Sequence, residues 1–506
     1  MIFCLIYRSY PRAVSYLNPI YKNFQLCSCI HDKICPMSRT TVRKDYLKDL
    51  REGKQIPFTG LCFMIIQLSI PAILAQISTI IMQYIDASMV GSLGAKGSAS
   101  IGLVASSQWL FGGLTMSLST GFIVQVAQQI GACDNKKARN IMKQAFVIVT
   151  GISLAATVIA SSISLHLPVW LGGGSDITRD AGIYFLIFAL FLPVHALNGL
   201  AGGMLQASGN MKIPGILHII MCLLDVIFNK FLIFPSVQLF GMTLKGAGLG
   251  VIGASLGTEF AKLICCILML YFLFTRSVSL RPVKNEKLTF NADEIRRAFK
   301  IALPVAAEQV IMSGAQILQT RIVAPLGTVS IAANSLSVTA ESLCYMPGFG
   351  IATAASTIIG QSIGAGRKDL TRKLGFIVTF FGMAVMTLSG ILMYIFAPYM
   401  LGFLSVDAAV VALGTRVLRI EAFAEPMYAA SIVANGVFRG TGDTLMPAVM
   451  SLVSMWAVRI PIAALLAPVI GLTGVWLGMC IELCFRGTLF LIRLYRFQKS
   501  PRASAA

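Results

Sequence analysis

The chain repeats itself at a fixed offset of 233 residues, and the residues that match are those that punctuate a backbone. Pro71 pairs with Pro304, Gly94 with Gly327, Gln128 and Gly131 with Gln361 and Gly364, and Pro193 with Pro426. Gly209 and Pro214 pair with Gly442 and Pro447. Glycine and proline mark turns, kinks and close helix approaches, so matching them matches the path of the chain. Gly248, Leu249 and Glu259 match Gly471, Leu472 and Glu482 at an offset of 223, which places a ten-residue insertion in the first half near PSVQLFGMTLKG. In an apolar chain this is the mark of two copies of one membrane bundle, the plan of transporters whose pathway lies between repeats.

Of the 506 residues, 56% are hydrophobic and 12% charged, about half the charged share of a soluble protein. The mean hydropathy of +0.78 leaves little surface fit to face water. Runs of ~20 apolar residues cross the ~30 Å hydrocarbon layer as helices, which satisfy their own backbone hydrogen bonds. Twelve such runs are expected, near 62–88, 97–122, 140–166, 180–204, 213–234, 247–274, 299–322, 330–357, 374–398, 410–436, 445–468 and 472–495. The fold class is therefore an all-α polytopic membrane protein, twelve transmembrane helices in two parallel six-helix repeats.

The net charge of +20 is a topology signal and not a nucleic-acid footprint. Basic clusters precede span 1 (Arg39, Arg43, Lys44, Lys48, Arg51, Lys54), join spans 2 and 3 (Lys136, Lys137, Arg139, Lys143), fill the connector after span 6 (Arg276, Arg281, Lys284, Lys287, Arg296, Arg297, Lys300), follow span 8 (Arg367, Lys368, Arg372, Lys373) and close the chain (Arg493, Arg496, Lys499, Arg502). All lie on one side of the expected topology, while the opposite loops carry one cation each or none. The positive-inside rule then puts both termini in the cytoplasm, with anionic lipid facing the basic side.

The domain plan is a leader at 1–36, a cytoplasmic segment at 37–60, a first lobe at 61–274 (spans 1–6), a cytoplasmic linker at 275–298, a second lobe at 299–497 (spans 7–12) and a tail at 498–506. The leader has no repeat equivalent and no signal-peptide layout, whereas Met37 opens MSRTTVRKDYLKDLREGK, a natural cytoplasmic start. Translation is expected to begin at Met37. Cys4, Cys27, Cys29, Cys35 and His31 crowd the leader without metal-ligand spacing, and most other cysteines sit in apolar spans, where a free thiol behaves as a small hydrophobe.

Ionisable groups inside spans are costly in lipid and are functional candidates by default. Asp86 stands near the outer end of span 1. Asp225 and Asn229 lie four apart in span 5, on one helix face, and Thr258 and Glu259 sit in span 6. Carboxylate, amide and hydroxyl oxygens suit a hard monovalent cation, and a carboxylate pair can instead share a proton. The second lobe offers Glu308, Gln309, Glu341, Tyr345, Glu421, Glu425 and Tyr428. Glu259 and Glu482, at matched places, read as structural partners of Lys262 and Arg486. Asp443, in FRGTGD, reads as the cap of span 11 with Pro447 in its first turn.

Several segments carry a resemblance. The second half reads LPVAAEQV, VAPLGTVSIAANSL, ESLCYMPGFGIATAASTIIGQSIGAG and VFRGTGDTLMP; the first reads SIPAILAQ, ASMVGSLGA, GFIVQVAQQIGA and LQASGNMKIP. From about Asp49 to Phe497 the chain resembles the multidrug and toxic compound extrusion (MATE) family, in a bacterial branch. That resemblance implies two six-helix lobes alternating between inward and outward openings, and export of organic, often cationic or amphipathic compounds in exchange for Na⁺ or H⁺. It also implies a first-lobe cation or proton site at Asp86, Asp225, Asn229 and Thr258, with any Na⁺ held at Asp86, Asp225 and Asn229. The span-5 pair here reads Asp then Asn, the reverse of the family order. Other branches place second-lobe acids at the positions of Met312 and Tyr428, so a cation site of that type is not expected. Glu308, Gln309, Glu341, Tyr345, Glu425 and Tyr428 are the candidate substrate cavity.

The expected function is a monomeric secondary antiporter with small organic substrates, Na⁺ or H⁺ and membrane lipids as its partners, no nucleic acid and no cofactor beyond a coupling Na⁺. The alternative is a lipid-linked oligosaccharide or precursor flippase of related two-lobe architecture; such proteins commonly carry more spans and a more cationic cavity. An enzyme is disfavoured because metal-ligand spacing and a P-loop are missing, and the chain holds four histidines. A channel gives no reason for carboxylates in both lobes.

Overall fold

The structure is a computed structural model that describes residues 46–175, 177–239, 242–283, 286–405 and 407–499. The leader with its cysteines and His31, the start at Met37, the cations Arg39, Arg43, Lys44, Lys284 and Arg502, and the end of the tail lie outside the described residues.

A short helix α1 (Tyr46–Arg51) leads into α2 (Phe58–Gly91), α3 (Ala95–Gly131) and α4 (Asn135–Ile163). After the single turn α5 (Leu167–Trp170), the fourth span is broken into α6 (Thr178–Leu190) and α7 (Leu192–Ala207), bent by 46° at Phe191 just before Pro193. Next come α8 (Lys212–Ile233), the strands β1 (Ser236–Leu239) and β2 (Met242–Lys245), and α9 (Gly250–Arg276). The second half runs α10 (Ala292–Val323), α11 (Thr328–Gly364), α12 (Lys368–Leu404), the broken pair α13 (Ala408–Glu421) and α14 (Glu425–Thr441), then α15 (Leu445–Val453), a π-helical turn (Ser454–Arg459), α16 (Ile460–Ile470) and α17 (Leu472–Lys499).

The helices reproduce the repeat. α3 and α11 match end to end at the 233-residue offset, as do the first residues of α4 and α12 and of α8 and α15. Both broken spans break at the same repeat position, immediately before Pro193 or Pro426, because proline lacks the N–H its turn would need. Gly94 and Gly327, with φ of 96° and 94°, start the second helix of each half, and Gly209 and Gly442, with φ of 91° and 87°, turn the chain before the fifth. Side chains with a Cβ rarely adopt that backbone, which is why these glycines recur. Asp134, Asn291 and Asp407 cap α4, α10 and α13 by accepting backbone N–H bonds.

Among the described residues, ten helices are long and apolar enough to cross a membrane, and the bent pair α6–α7 makes eleven. The pair α13–α14 carries Arg416, Arg419, Glu421, Glu425 and Arg439, and its repeat position makes it the twelfth span. Two details differ from expectation. The insertion after span 5 is an antiparallel hairpin, with Val237 opposite Leu244, and not a plain loop. Asp443 does not cap α15: its carboxylate pairs with Arg493, and Thr444 occupies the cap position, where its hydroxyl donates to the Ile301 carbonyl at 2.8 Å.

Among the described residues, the three largest apolar cores hold most of the bundle. One joins the inner faces of α3, α4, α7, α8 and α9. Another lies in the outer half of the second lobe around fully buried Trp476, whose indole N–H donates to Asn334 at 3.0 Å. The third is a junction: Leu61, Met64, Ile65 and Leu68 of α2 pack with Ile351, Leu374, Phe438 and Phe490 of the second lobe. The helix bearing Asp86 thus has its first half in the second lobe's core, and Asp86 reaches the first lobe near its other end. Side chains such as Phe403, 91% exposed, face outward as a lipid-facing surface requires.

The lobes meet most closely at the basic end, and the Tyr84 hydroxyl donates to the Thr339 carbonyl at 2.5 Å nearer the other end. The Gln128 amide donates to the Gly440 carbonyl at 3.2 Å, and Gln361, its repeat partner, donates to Ala207 at 2.7 Å. A Cβ on Gly131 would overlap the Gln361 carbonyl, and one on Gly364 would overlap that of Gln128. Gly121 lies as closely against Ala298. At the other end Gly91, Gly94, Gly102 and Gly327 have open space where a Cβ would point.

Candidate cation site and acidic cluster

In the first lobe, α8 places Asp225 and Asn229 on one buried face, and α2 brings Asp86 to it. The Asn229 amide nitrogen donates to Asp86 Oδ1 at 2.7 Å and to Asp225 Oδ2 at 3.2 Å. Asp225 and Asn229 are fully buried. The hydroxyl of Thr258, on α9, is a hydrogen-bond neighbour of the Asp225 carboxyl, and the two carboxyls are hydrogen-bond neighbours of each other. All four residues expected from the sequence are brought together. Gly257 completes the cradle, since a Cβ there would overlap Asn229 Oδ1.

Two buried acceptors, Asp225 Oδ1 and Asn229 Oδ1, find no donor among the described residues. Nearby Lys262 is held by Glu259 at 2.9 Å, as expected, so the local charge is two carboxyls with one already-paired cation beside them. Adjacent buried carboxylates are not both stable as anions without a proton or a cation between them. The donor set, carboxylate, amide carbonyl and hydroxyl, consists of hard oxygens and fits either a proton or Na⁺.

In the second lobe the break between α13 and α14 puts Glu421 and Glu425 on either side of the kink, both fully buried. Glu341 of α11, 5% exposed, faces them. The four carboxylate oxygens of Glu421 and Glu425 find no N–H or O–H partner among the described residues. Tyr345 and Tyr428 form the aromatic wall, their ring centroids 5.6 Å apart, and Arg486 lies 5.4 Å over Tyr428. Arg486 is also paired with Glu482 at 3.1 Å, as expected, and Glu482 takes a further bond from Ser454 at 2.5 Å.

Four of the six expected cavity residues, Glu341, Tyr345, Glu425 and Tyr428, therefore cluster. The other two are elsewhere: Glu308 faces Arg439, and the Gln309 side chain packs across the lobe boundary against Gly113. Sequence reasoning missed Arg459, which lies in electrostatic range of Glu341 and Glu421 from the π-helical turn. The signal was present, since an arginine within SMWAVRIPIAALL is as exceptional in a span as Asp86.

Two bundles of one repeat, packed against each other and each burying carboxylates, define a membrane transporter with two lobes. The MatE family model matches residues 71–231 and 304–465, one match in each repeat. The chain belongs to the MatE (multidrug and toxic compound extrusion) family, whose members are transporters and not enzymes. It is 25% identical over 437 residues to a probable multidrug resistance protein NorM of Thermotoga maritima, covering 85% of this chain and 91% of that one. It is 24% identical over 458 residues to the multidrug resistance protein MdtK of Edwardsiella ictaluri, covering 87% and 96%. Among solved structures, an outward-facing multidrug resistance MATE family transporter superposes with a TM-score of 0.80 at 17% identity, over 87% of this chain and 97% of that one. The fold is therefore the twelve-helix, two-lobe one.

Proposed function

We propose that the chain is a secondary active multidrug efflux antiporter of the inner membrane. It exports organic, often cationic or amphipathic compounds in exchange for Na⁺ or H⁺ by alternating access. The observation that carries this reading is the Asp86–Asn229–Asp225 linkage, made by a helix whose first half is packed in the other lobe.

A proton or Na⁺ bound there supplies the positive charge that the two carboxyls lack. Asn229 orients both carboxyls, and Asp86 draws the far half of α2 onto α8. When the charge balance at Asp86 changes, the α2–α8 contact changes strength, and the junction core transmits that change to the second lobe. A ligand shifts such an equilibrium only by its differential affinity for the two states. In the second lobe Glu341, Glu421 and Glu425 supply negative potential, and Tyr345 and Tyr428 offer ring faces to an organic cation. The acidic character of that cluster weighs against a flippase for anionic lipid-linked precursors.

The test is export from reconstituted, drug-loaded vesicles with Na⁺ and pH gradients imposed separately. Wild type should respond to at least one gradient, and Asp86→Asn should abolish the response. Undiminished gradient-driven export by the variant would remove Asp86 from the mechanism.

A further inference from the structure

Away from both sites, at the basic end, a groove of about 800 Å³ opens between the stretch Gln55–Leu61 that enters α2 and the first turns of α12. Its rim carries Arg367, Lys373 and Asp369, and its walls include Phe58, Phe376 and Phe380. We propose that this groove holds one anionic phospholipid of the leaflet on the basic side, its phosphate against Arg367 and Lys373 and its acyl chains along the three phenylalanines.

The order of side chains along α12 matches the depth profile of a leaflet. From Arg367 to Phe380 the helix rises about 20 Å, close to one leaflet's half of the ~40–45 Å bilayer with its headgroups. Charge therefore sits at the headgroup level and the aromatic strip at acyl depth. Phe376 and Phe380, one turn apart, stack with centroids 6.1 Å apart, and Phe58 and Phe380 are 67% and 54% exposed. An apolar wall alone would accept any lipid; the rim selects the anionic one. Residues 367–373 read RKDLTRK, four cations against one acid. The acid, Asp369, is 67% exposed and 3.7 Å from Arg367. The other nearby acids are already engaged, because Lys54 holds Glu52 at 2.6 Å and Asp49 at 3.5 Å.

The groove also bridges the lobes. Arg367 donates to the Lys54 carbonyl at 3.0 Å, tying the second lobe to the segment that starts the Asp86 helix. A lipid seated there spans the same joint and favours the arrangement in which the basic end is closed. This inference does not depend on what is exported.

Native mass spectrometry of the full chain, exposed to phosphatidylglycerol or phosphatidylcholine, tests it. Wild type should retain phosphatidylglycerol preferentially. R367Q/K373Q should bind it roughly fivefold more weakly for each charge removed. R367K/K373R should keep the preference, which separates loss of charge from loss of fold. A photoactivatable phosphatidylglycerol should label residues 55–61 and 367–380. Equal retention of the two lipids by wild type, unchanged preference in R367Q/K373Q, or labelling confined to other helices would each overturn the proposal. So would displacement of the lipid by a quaternary ammonium dye, which would make the groove a substrate site.

Discussion

Asn229 is the residue through which the two first-lobe carboxyls are held, and its own position depends on a glycine that carries no chemistry. Gly257 lets the Asn229 carbonyl oxygen lie against the α9 backbone. Gly257→Ala introduces a Cβ where that oxygen stands; overpacking of this kind costs about 1–3 kcal/mol. The expected outcome is a sharp loss of gradient-driven export with both carboxyls intact, measured beside Asp86→Asn, and with folding verified by thermal unfolding in detergent. Normal export by Gly257→Ala would mean that Asn229 does not orient the pair. The carboxyls were legible in the sequence because an acid in an apolar span is exceptional and because Asp225 and Asn229 sit four apart. Gly257 was not, since one glycine among several in GVIGASLGTEF gives no sign of what it touches. Asp443 was misjudged because a capping rule looks along the chain, and Arg493, fifty residues away in sequence, competes for the same carboxylate.

At the scale of elements, the broken and π-helical segments of the second lobe bring Glu421, Glu425 and Arg459 together. The kink before Pro426 was visible in the sequence, but the facing of Glu341, Glu421 and Arg459 across α11, α13 and the π-helical turn depends on helix rotation, which periodicity in a uniformly apolar helix does not define. Arg459→Met removes the half-buried cation in electrostatic range of the cluster, with which it forms no direct ion pair; a single substitution of this kind costs about 1 kcal/mol. Chemical unfolding should show a loss of that order, and Glu421→Gln added to Arg459→Met should recover part of it. Strict additivity of the two would show that they do not interact. The linker is a second element with a definite mechanism. Arg139 takes Glu286 in a two-pronged bond at 2.5 and 2.8 Å, Lys143 donates to the Glu286 carbonyl at 2.8 Å, and Asn140 exchanges bonds with Thr289. The Arg139 guanidinium holds the Glu286 carboxyl below its ordinary range. A carboxyl lowered in the folded state contributes stability above its unfolded pKa of ~4.3, and that contribution is lost as pH falls through the lower folded value. Hydrogen exchange across 277–291 should therefore rise in Glu286→Gln at neutral pH, and in wild type only on acidification below about pH 4. Equal protection in both proteins at neutral pH would show that the linker is held without this pair.

At the scale of the molecule, the repeat and the chemical difference between its halves were both legible in the sequence, while the way the halves cross was not. Matching prolines and glycines fix where helices start, break and cross, and those features are local. The cross-lobe contacts are not local, yet they too obey the symmetry: Gln128 reaches Gly440 as Gln361 reaches Ala207, and Gly131 and Gly364 let the two crossings close. The scaffold is duplicated and the chemistry is not, since Asp86, Asp225 and Glu308 have Gln319, Val458 and Ala75 as their repeat counterparts. A symmetric joint between asymmetric lobes has a consequence that can be measured. Each glutamine bond contributes about 0.5–1.5 kcal/mol, so removing both favours opening of the basic end by about 1–3 kcal/mol, or roughly 5- to 150-fold in population. Ala127, 2% exposed beside Gly360, reports on that opening. With the native cysteines replaced and Ala127→Cys introduced, Q128A/Q361A should react faster than its parent with an impermeant maleimide applied from the basic side. Each single variant should fall between, because the two bonds act on the same equilibrium from opposite lobes. An unchanged labelling rate in the double variant would show that the two glutamine bonds do not hold the basic end closed, which the glycine crossings and the junction core would then do without them.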